Sequence, residues 1–275
     1  MSDSSFSLVP VWQILWNWRA RIIMFVAFVS AATAVAVFFL PKYYLSAAIA
    51  VPANPVFSDK SKLFNNNIQS LYSPYGSSDD LDRLCGIAEL DTVYKTIIKE
   101  FKLIRYYELP ENDTTKSVYK ALKALKEDLR IQQTEKGQMK ILMWHKDRNI
   151  AAEIVNRVAD ITQQIAMAMQ LQYNSQSLNN INAAIKQDAE LLAGKTGDAT
   201  DFNRYMDYKI IAGHLKIAIA NNPPALIIQE HGYAAGKEDK PKKLAIIVTA
   251  FFLSLLFAVL TALLYHRKNN HAAPV

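Results

Sequence analysis

The sequence predicts an α+β membrane protein in which two transmembrane helices flank an α/β base that carries a protruding long helical hairpin. Three observations predict it. Two charge-free apolar runs, Ile22–Leu40 and Leu244–Tyr265, bracket about 200 residues of ordinary polarity. At ~1.5 Å rise per residue the runs reach roughly 28 and 33 Å, against a bilayer core of ~30 Å. The stretch between them mixes strand-like and helical periods. Finally, Asn149 to about Ala193 holds neither proline nor glycine, which predicts one helix of ~45 residues, near 65 Å long.

The boundaries follow in order. Residues 1–21 form an N-terminal tail, 22–40 the first span, 41–148 the membrane-proximal α/β base, and 149–220 the long helix with its return helix. Residues 221–243 make a closing strand and juxtamembrane segment, 244–265 the second span, and 266–275 a C-terminal tail. The 19 residues of the first run exceed the ~7–15 of a signal-peptide apolar region, so it reads as an uncleaved anchor. The Leu45-Ser46-Ala47-Ala48 stretch that follows leaves cleavage as the competing reading.

Inside the base, Tyr43–Pro52 carries aromatic and β-branched residues and ends in proline, the pattern of a strand. Residues 53–78 are rich in Asn, Ser and Pro and read as a loop. Leu81, Leu84, Ile87 and Ala88 keep one helical face, and Val93, Ile97, Ile98 and Phe101 another. Val118, Leu122, Leu125 and Leu129 predict a third helix over Ser117–Arg130. Leu129–Gln133 then alternates, Glu135–Gln138 turns and Met139–Trp144 runs apolar, which predicts a β-hairpin. Asp147 stands where a helix cap belongs. The long helix carries Ile154, Val158, Ile161, Ile165 and Ala168 in its first half and Leu178, Ile181, Ile185 and Leu192 in its second. Between them a waist rich in Asn and Gln, residues 170–180, marks where the helix leaves the base. A return helix near Phe202–Ala220 and a strand at Ala225–Gln229 complete the order. Each outer strand is tethered close to a span, so the two are expected to be neighbours in one sheet.

The net charge of +6 is not a nucleic-acid signature. Between Lys42 and Lys243 there are 27 basic and 24 acidic residues, interspersed as on a solvated surface. Arg19, Arg21, Arg267 and Lys268 flank the outer ends of the spans, against Lys42, Lys237, Lys240, Lys242 and Lys243 on the inner ends. The flanks of the first span favour a cytoplasmic N-terminus, and Trp12, Trp16 and Trp18 fit an interfacial belt before it. Long domains translocate largely regardless of charge, so residues 42–243 are placed outside.

Chemical motifs are sparse. Cys85 is a single cysteine, more simply a small half-buried side chain than a reactive thiol. Gly194-Lys195-Thr196-Gly197 resembles part of a phosphate loop, but Ala189 stands where the first glycine belongs and a helix precedes it. It reads as a helix-ending turn. His145, His214, His231, His266 and His271 form no ligand spacing; His145 and Asp147 fit a strand end and a helix cap as well as a metal. Asn112-Asp113-Thr114 is a glycosylation triplet of the kind that arises by chance. Lys237–Lys243 fits either a surface for anionic head groups or lipid-linked diphosphate, or a solubilising flank of the second span. No cofactor is expected. In the spans, Ser254, Ala258 and Ala262 repeat every fourth residue, as do Ala27 and Ala31. Small residues at that spacing let helices approach closely in lipid, pairing the spans or joining protomers.

The Tyr43-Tyr44…Ile49-Ala50-Val51 strand after the first span, the stretch His145-Lys146-Asp147-Arg148-Asn149-Ile150-Ala151-Ala152-Glu153-Ile154-Val155-Asn156, and the strand Ala225–Gln229 before a lysine-flanked span together resemble the polysaccharide co-polymerases, the Wzz-like chain-length determinant family. The chain departs from that pattern in three ways. Only Pro241 stands before the second span, that span lacks glycine, and the helical hairpin is short with no kinase domain following. The last departure sets it apart from the kinase-fused, capsule-type branch.

The resemblance implies a non-enzymatic protein of the bacterial inner membrane with both termini cytoplasmic and the central domain periplasmic. It implies self-association into a homo-oligomeric ring, with membrane lipid, a polysaccharide polymerase and a lipid-linked glycan as partners and no nucleic acid. Lateral association would cover a helix seam built from Ile154, Val158, Ile161, Ile165, Leu178, Ile181 and Ile185. A second reading is a membrane-anchored periplasmic sensor or adaptor, which needs an output module that the short tails do not offer. A third, an outward-facing membrane enzyme, lacks a candidate catalytic set.

Overall fold

Pro41 decides where the first helix stops. Helix α1 runs Leu8–Phe38, and the chain turns at Phe39 and Leu40 because the residue before a proline is driven out of the helical region. The helix begins well before Ile22: charged side chains at Arg19 and Arg21 leave its backbone bonds intact, so a charge-free run understates it. The computed structural model describes residues 8–53, 76–110, 114–194 and 198–271. They divide into two units, Met1–Tyr43 with Lys237–Val275, and Tyr44–Gly236.

The first unit pairs α1 with the last helix, numbered α8 in chain order, Lys243–His271. Leu15–Phe38 and Lys243–Tyr265 are long and apolar enough to cross a membrane.

The second unit is an α+β base. Its elements are β1 (Tyr44–Pro52), α2 (Ser78–Ala88), α3 (Asp91–Glu100), the single turn α4 (Leu103–Tyr106), α5 (Thr114–Asp128), β2 (Leu129–Gln133), β3 (Met139–His145), α6 (Arg148–Ala193), α7 (Ala199–Asn221) and β4 (Leu226–Glu230). The four strands form one antiparallel sheet in the order β2-β3-β1-β4. The first and last strands are therefore neighbours, as their tethers predict. Register places Ser46, Ala48 and Ala50 opposite Met143, Ile141 and Met139, and all six are buried on one face. The β2–β3 turn closes with Gly137 at φ +71°, a left-handed position that glycine adopts without steric cost.

Helices α2, α3, α5 and the first half of α6 share the core with this sheet. Ser77 caps α2 in a reciprocal box with Asp80. In α5 the buried ridge is Ser117, Ala121 and Leu125, while Val118 and Leu122 are only half-buried. Small residues on that ridge bring the helix close to its neighbours, and the backbone switches to strand at Leu129 rather than continuing to Arg130. The one-turn α4 follows a left-handed Lys102 at φ +50°, a local break that apolar spacing does not signal.

Helix α6 is 46 residues long, about 69 Å. Its N-terminal half, from Ala151 to Ala166, is buried in the core of the base. Beyond that its buried positions are Asn174, Ser177 and Asp188, facing α7. The polar waist is thus the transition from sheet to return helix. At the far end Arg204 forks onto Asp188, with Nη2 and Nε donating at 2.6 and 2.9 Å, and Asp198 caps α7 with a reciprocal box through Asp201. The Arg204 guanidinium holds Asp188 below the ordinary carboxylate range. Residues 54–75, Asn112-Asp113 and Lys195-Thr196-Gly197 lie outside the described residues. Most of the expected loop, most of the glycosylation triplet and most of the expected helix-ending turn therefore do too.

Candidate functional site

The stretch His145–Asn156 forms a junction that holds the base closed. Asp147 caps α6, its Oδ1 accepting from the backbone N–H groups of Asn149 at 2.8 Å and Ile150 at 3.4 Å. His145 is the last residue of β3 and is buried, its ring stacked on Tyr106 at 4.1 Å. Ala151 and Ala152 are buried, and their small side chains let α6 lie close to its neighbours. One helical turn beyond them, Asn156 reaches the segment that follows β4. Its Nδ2 donates to the Gly232 carbonyl at 3.0 Å and its Oδ1 accepts from the Gly232 N–H at 2.7 Å. The Ser46 hydroxyl donates to the Tyr233 carbonyl at 2.9 Å. Two side chains, from β1 and α6, thus satisfy the backbone of a segment that has left the sheet.

Burial is the main cause that holds the His145 imidazole below its ordinary value of 6.5. The Asp147 carbonyl oxygen, 3.1 Å from Nδ1 and able to accept from a protonated ring, and the Asp147 and Asp128 charges oppose it, and the Lys146 charge assists it. The ring accepts at Nδ1 from the Asp147 N–H at 2.9 Å, which suits the neutral form. The unfolded chain takes up a proton that the folded base resists. The neutral ring's contribution is therefore complete above pH 6.5 and is lost as pH falls through the depressed folded value. The expected result is a thermal midpoint that drops on the acid side of 6.5, and a flatter profile there for His145→Asn. Melting curves of the detergent-solubilised protein across that range provide the check.

In the first unit, Ser254, Ala258 and Ala262 are buried between the two helices, Ala262 completely. Among the described side chains of α1, Ile22, Val26 and Val37 are buried, and Ala27 and Ala31 are exposed on another face. Every face of a span is apolar, so small-residue spacing alone does not say which face meets the neighbour. Ring contacts fix the antiparallel register, Trp18 with Tyr265 at 5.1 Å and Phe25 with Phe257 at 6.1 Å. Arg19 lies over Trp16 and Arg21 over Trp18, at 4.3 and 4.7 Å. At the other end Glu238 links the segment after α1 to the first residue of α8, bonded to Lys42 at 3.1 Å and Lys243 at 2.5 Å. Those two lysines hold its carboxyl below the usual range. Tyr43 and Lys240 form a backbone bridge beside it. Within the lysine run, Lys243 is thereby engaged, and Lys237 and Lys242 are exposed.

The expected seam residues separate into two sets. Ile154, Val158 and Ile161 are buried inside the base and Ile165 packs against the same core. Leu178, Ile181 and Ile185 are half-buried along the hairpin. Among the described residues no group of three His, Cys, Asp or Glu side chains is placed to hold a metal. The Asn156–Gly232 contact was not legible in the sequence; its one signal is a glycine two residues after the end of a strand.

No protein-family model matches the chain, and no curated protein matches it. Solved structures are similar to it across 73–98% of its length at low identity. One is described as a full-length bacterial polysaccharide co-polymerase; it is 14% identical, with 98% of this chain and 100% of that chain covered and a TM-score of 0.47. Another is a fragment of WzzB, a polysaccharide co-polymerase from Salmonella Typhimurium, 11% identical, with 73% of this chain and 100% of that fragment covered and a TM-score of 0.46.

Proposed function

We propose that this chain is a non-enzymatic regulator of polysaccharide chain length, acting on O-antigen or a related lipid-linked glycan as an oligomeric periplasmic scaffold beside the polymerase. The observation that carries the reading is the pairing of β1 with β4. One strand follows the first candidate span and the other precedes the second. The segment after β4 runs back along β1, through Ser46 and Tyr233. The base therefore starts and ends side by side, and two adjacent strands tie one body to the bilayer. The residues that resemble the co-polymerases, His145–Asn156, are those that close this arrangement.

Self-association has a surface available. Phe202, Met206, Ile210 and Ile217 are each 43–57% exposed along one stripe of α7, opposite the buried Ile211, Leu215 and Ala218. Such a stripe is more costly to leave in water than the seam of α6, whose first half the base already buries. We place both termini in the cytoplasm of a bacterial inner membrane. The Trp18–Tyr265 contact puts Arg19 and Arg21 at the same end of the pair as the C-terminal turns of α8, which carry Arg267 and Lys268.

Deleting the gene and running the surface glycan on a gel tests the reading. The expected result is a clustered length distribution that becomes random. An unchanged profile would turn the reading toward a membrane-anchored periplasmic sensor or adaptor.

A further inference from the structure

A cavity of about 700 Å³ opens in the base between α2, the middle of α6 and the turn at Pro223-Pro224-Ala225. That volume lies within the range of small-ligand sites. Its apolar side includes the buried Leu84 and Ala166 and the half-exposed Met169. Its polar side carries Arg83 and Gln170, and neither makes an ion pair or side-chain hydrogen bond among the described residues. The Tyr173 ring, 51% exposed, completes the wall.

Gly86 is the second, independent observation. It lies inside α2, where glycine is a poorer helix former than alanine. It lines the cavity, and a Cβ built there would meet nothing within 4 Å. No close backbone approach requires it. The consequence of its missing side chain is that the wall stays open.

A ligand for this wall must present a C–H or apolar face to Tyr173 and Met169. It must offer acceptor oxygens to the guanidinium of Arg83, and both donors and acceptors to the carboxamide of Gln170. A sugar ring meets all three demands, with its hydroxyls around the rim and its C–H groups on the face. We propose that this cavity binds a short glycan segment, held by Arg83 and Gln170 through its oxygens and by Tyr173 and Met169 through its C–H face. The proposal rests on the reading of the chain as a glycan chain-length regulator, and adds the place where the glycan is held.

The experiment is calorimetric titration of the full-length protein in detergent with short oligosaccharides released by mild acid from the producing cells' own surface glycan. Maltooligosaccharides serve as the unrelated control. Saturable binding of the cognate oligosaccharides is expected. Arg83→Ala should weaken it about tenfold, the effect of one lost charge-assisted hydrogen bond. Gly86→Phe should abolish it by filling the cavity, with the thermal midpoint unchanged. Should Gly86→Phe not fold, the Arg83→Ala, Gln170→Ala double variant decides, since neither side chain makes an ion pair or side-chain hydrogen bond among the described residues.

Absence of saturable binding, equal binding of the maltooligosaccharides, or undiminished binding by the variants overturns the proposal. These outcomes are separate from the gene-deletion assay. Lengths randomised by deletion, with no oligosaccharide bound, would keep the regulator and remove the cavity site. Cognate binding with no change of lengths on deletion would keep the site and remove the regulator.

Discussion

Gly232→Ala should destabilise the base by about 2–3 kcal/mol, the upper part of the range for overpacking a closed site. A Cβ at that position would sit 2.1 Å from Val155 Cγ2, 3.0 Å from Ser46 Oγ and 3.2 Å from the Ala152 carbonyl oxygen. The first contact is far inside van der Waals distance and involves a side chain that is itself fully buried. The backbone of residue 232 cannot simply retreat, because Asn156 holds both its N–H and its carbonyl. Relief therefore requires breaking that pair or moving α6.

The same geometry predicts a rescue. Val155→Ala removes the clashing methyl groups and on its own costs stability through a cavity. Combined with Gly232→Ala it should cost less than the sum of the two single changes, because the new methyl occupies the vacated space. Thermal melts of the four proteins in detergent, with hydrogen exchange across β4 and the following segment, provide the measurement. Strict additivity would show that the two sites do not touch.

In the membrane pair, Ala262→Leu should separate the helices while Ala27→Leu should leave them together. Ala262 is completely buried between α1 and α8, whereas Ala27 is exposed. Lipid tails solvate leucine as well as alanine, so enlarging Ala27 costs little. Enlarging Ala262 forces the backbones apart and removes the close packing that holds helices together in a bilayer. Overpacking of this kind costs about 1–3 kcal/mol, enough to shift pairing roughly tenfold or more. Cysteines placed at Phe25 and Phe257, whose rings lie 6.1 Å apart, report the pairing by oxidative crosslinking in membranes. Equal crosslinking in both leucine variants would mean that the small face of α8 does not set the approach.

Local patterns in the sequence resolve most elements of the base. The alternation around Leu129–Gln133 and the apolar run at Met139–Trp144 become β2 and β3, and Asp147 caps α6 where a cap was expected. These are short-range effects: a period of two or of three to four residues, or a carboxylate beside free amide groups, carries its own information. Third-helix spacing was less reliable. A helix with apolar residues at Val118, Leu122 and Leu125 has two acceptable faces, and the rotation that buries Ser117 and Ala121 depends on neighbours far along the chain. The candidate site was legible only in part. His145 and Asp147 stand out by sequence, but Asn156 and Gly232 are 76 residues apart, and neither is unusual in its local context.

The sequence by itself determined that two stretches can cross a bilayer, that strands and helices alternate between them, and that one helix runs far beyond the base. Each of these follows from length, hydropathy or periodicity, which neighbouring residues settle among themselves. Tertiary structure alone decided which face of α1 meets α8, since an apolar helix in lipid has no distinguished side. It also decided that the seam of α6 is divided between sheet and return helix, and that Gly232 admits no side chain. Those outcomes depend on how separate elements dock, where a shift of one or two ångströms exchanges a contact for a clash.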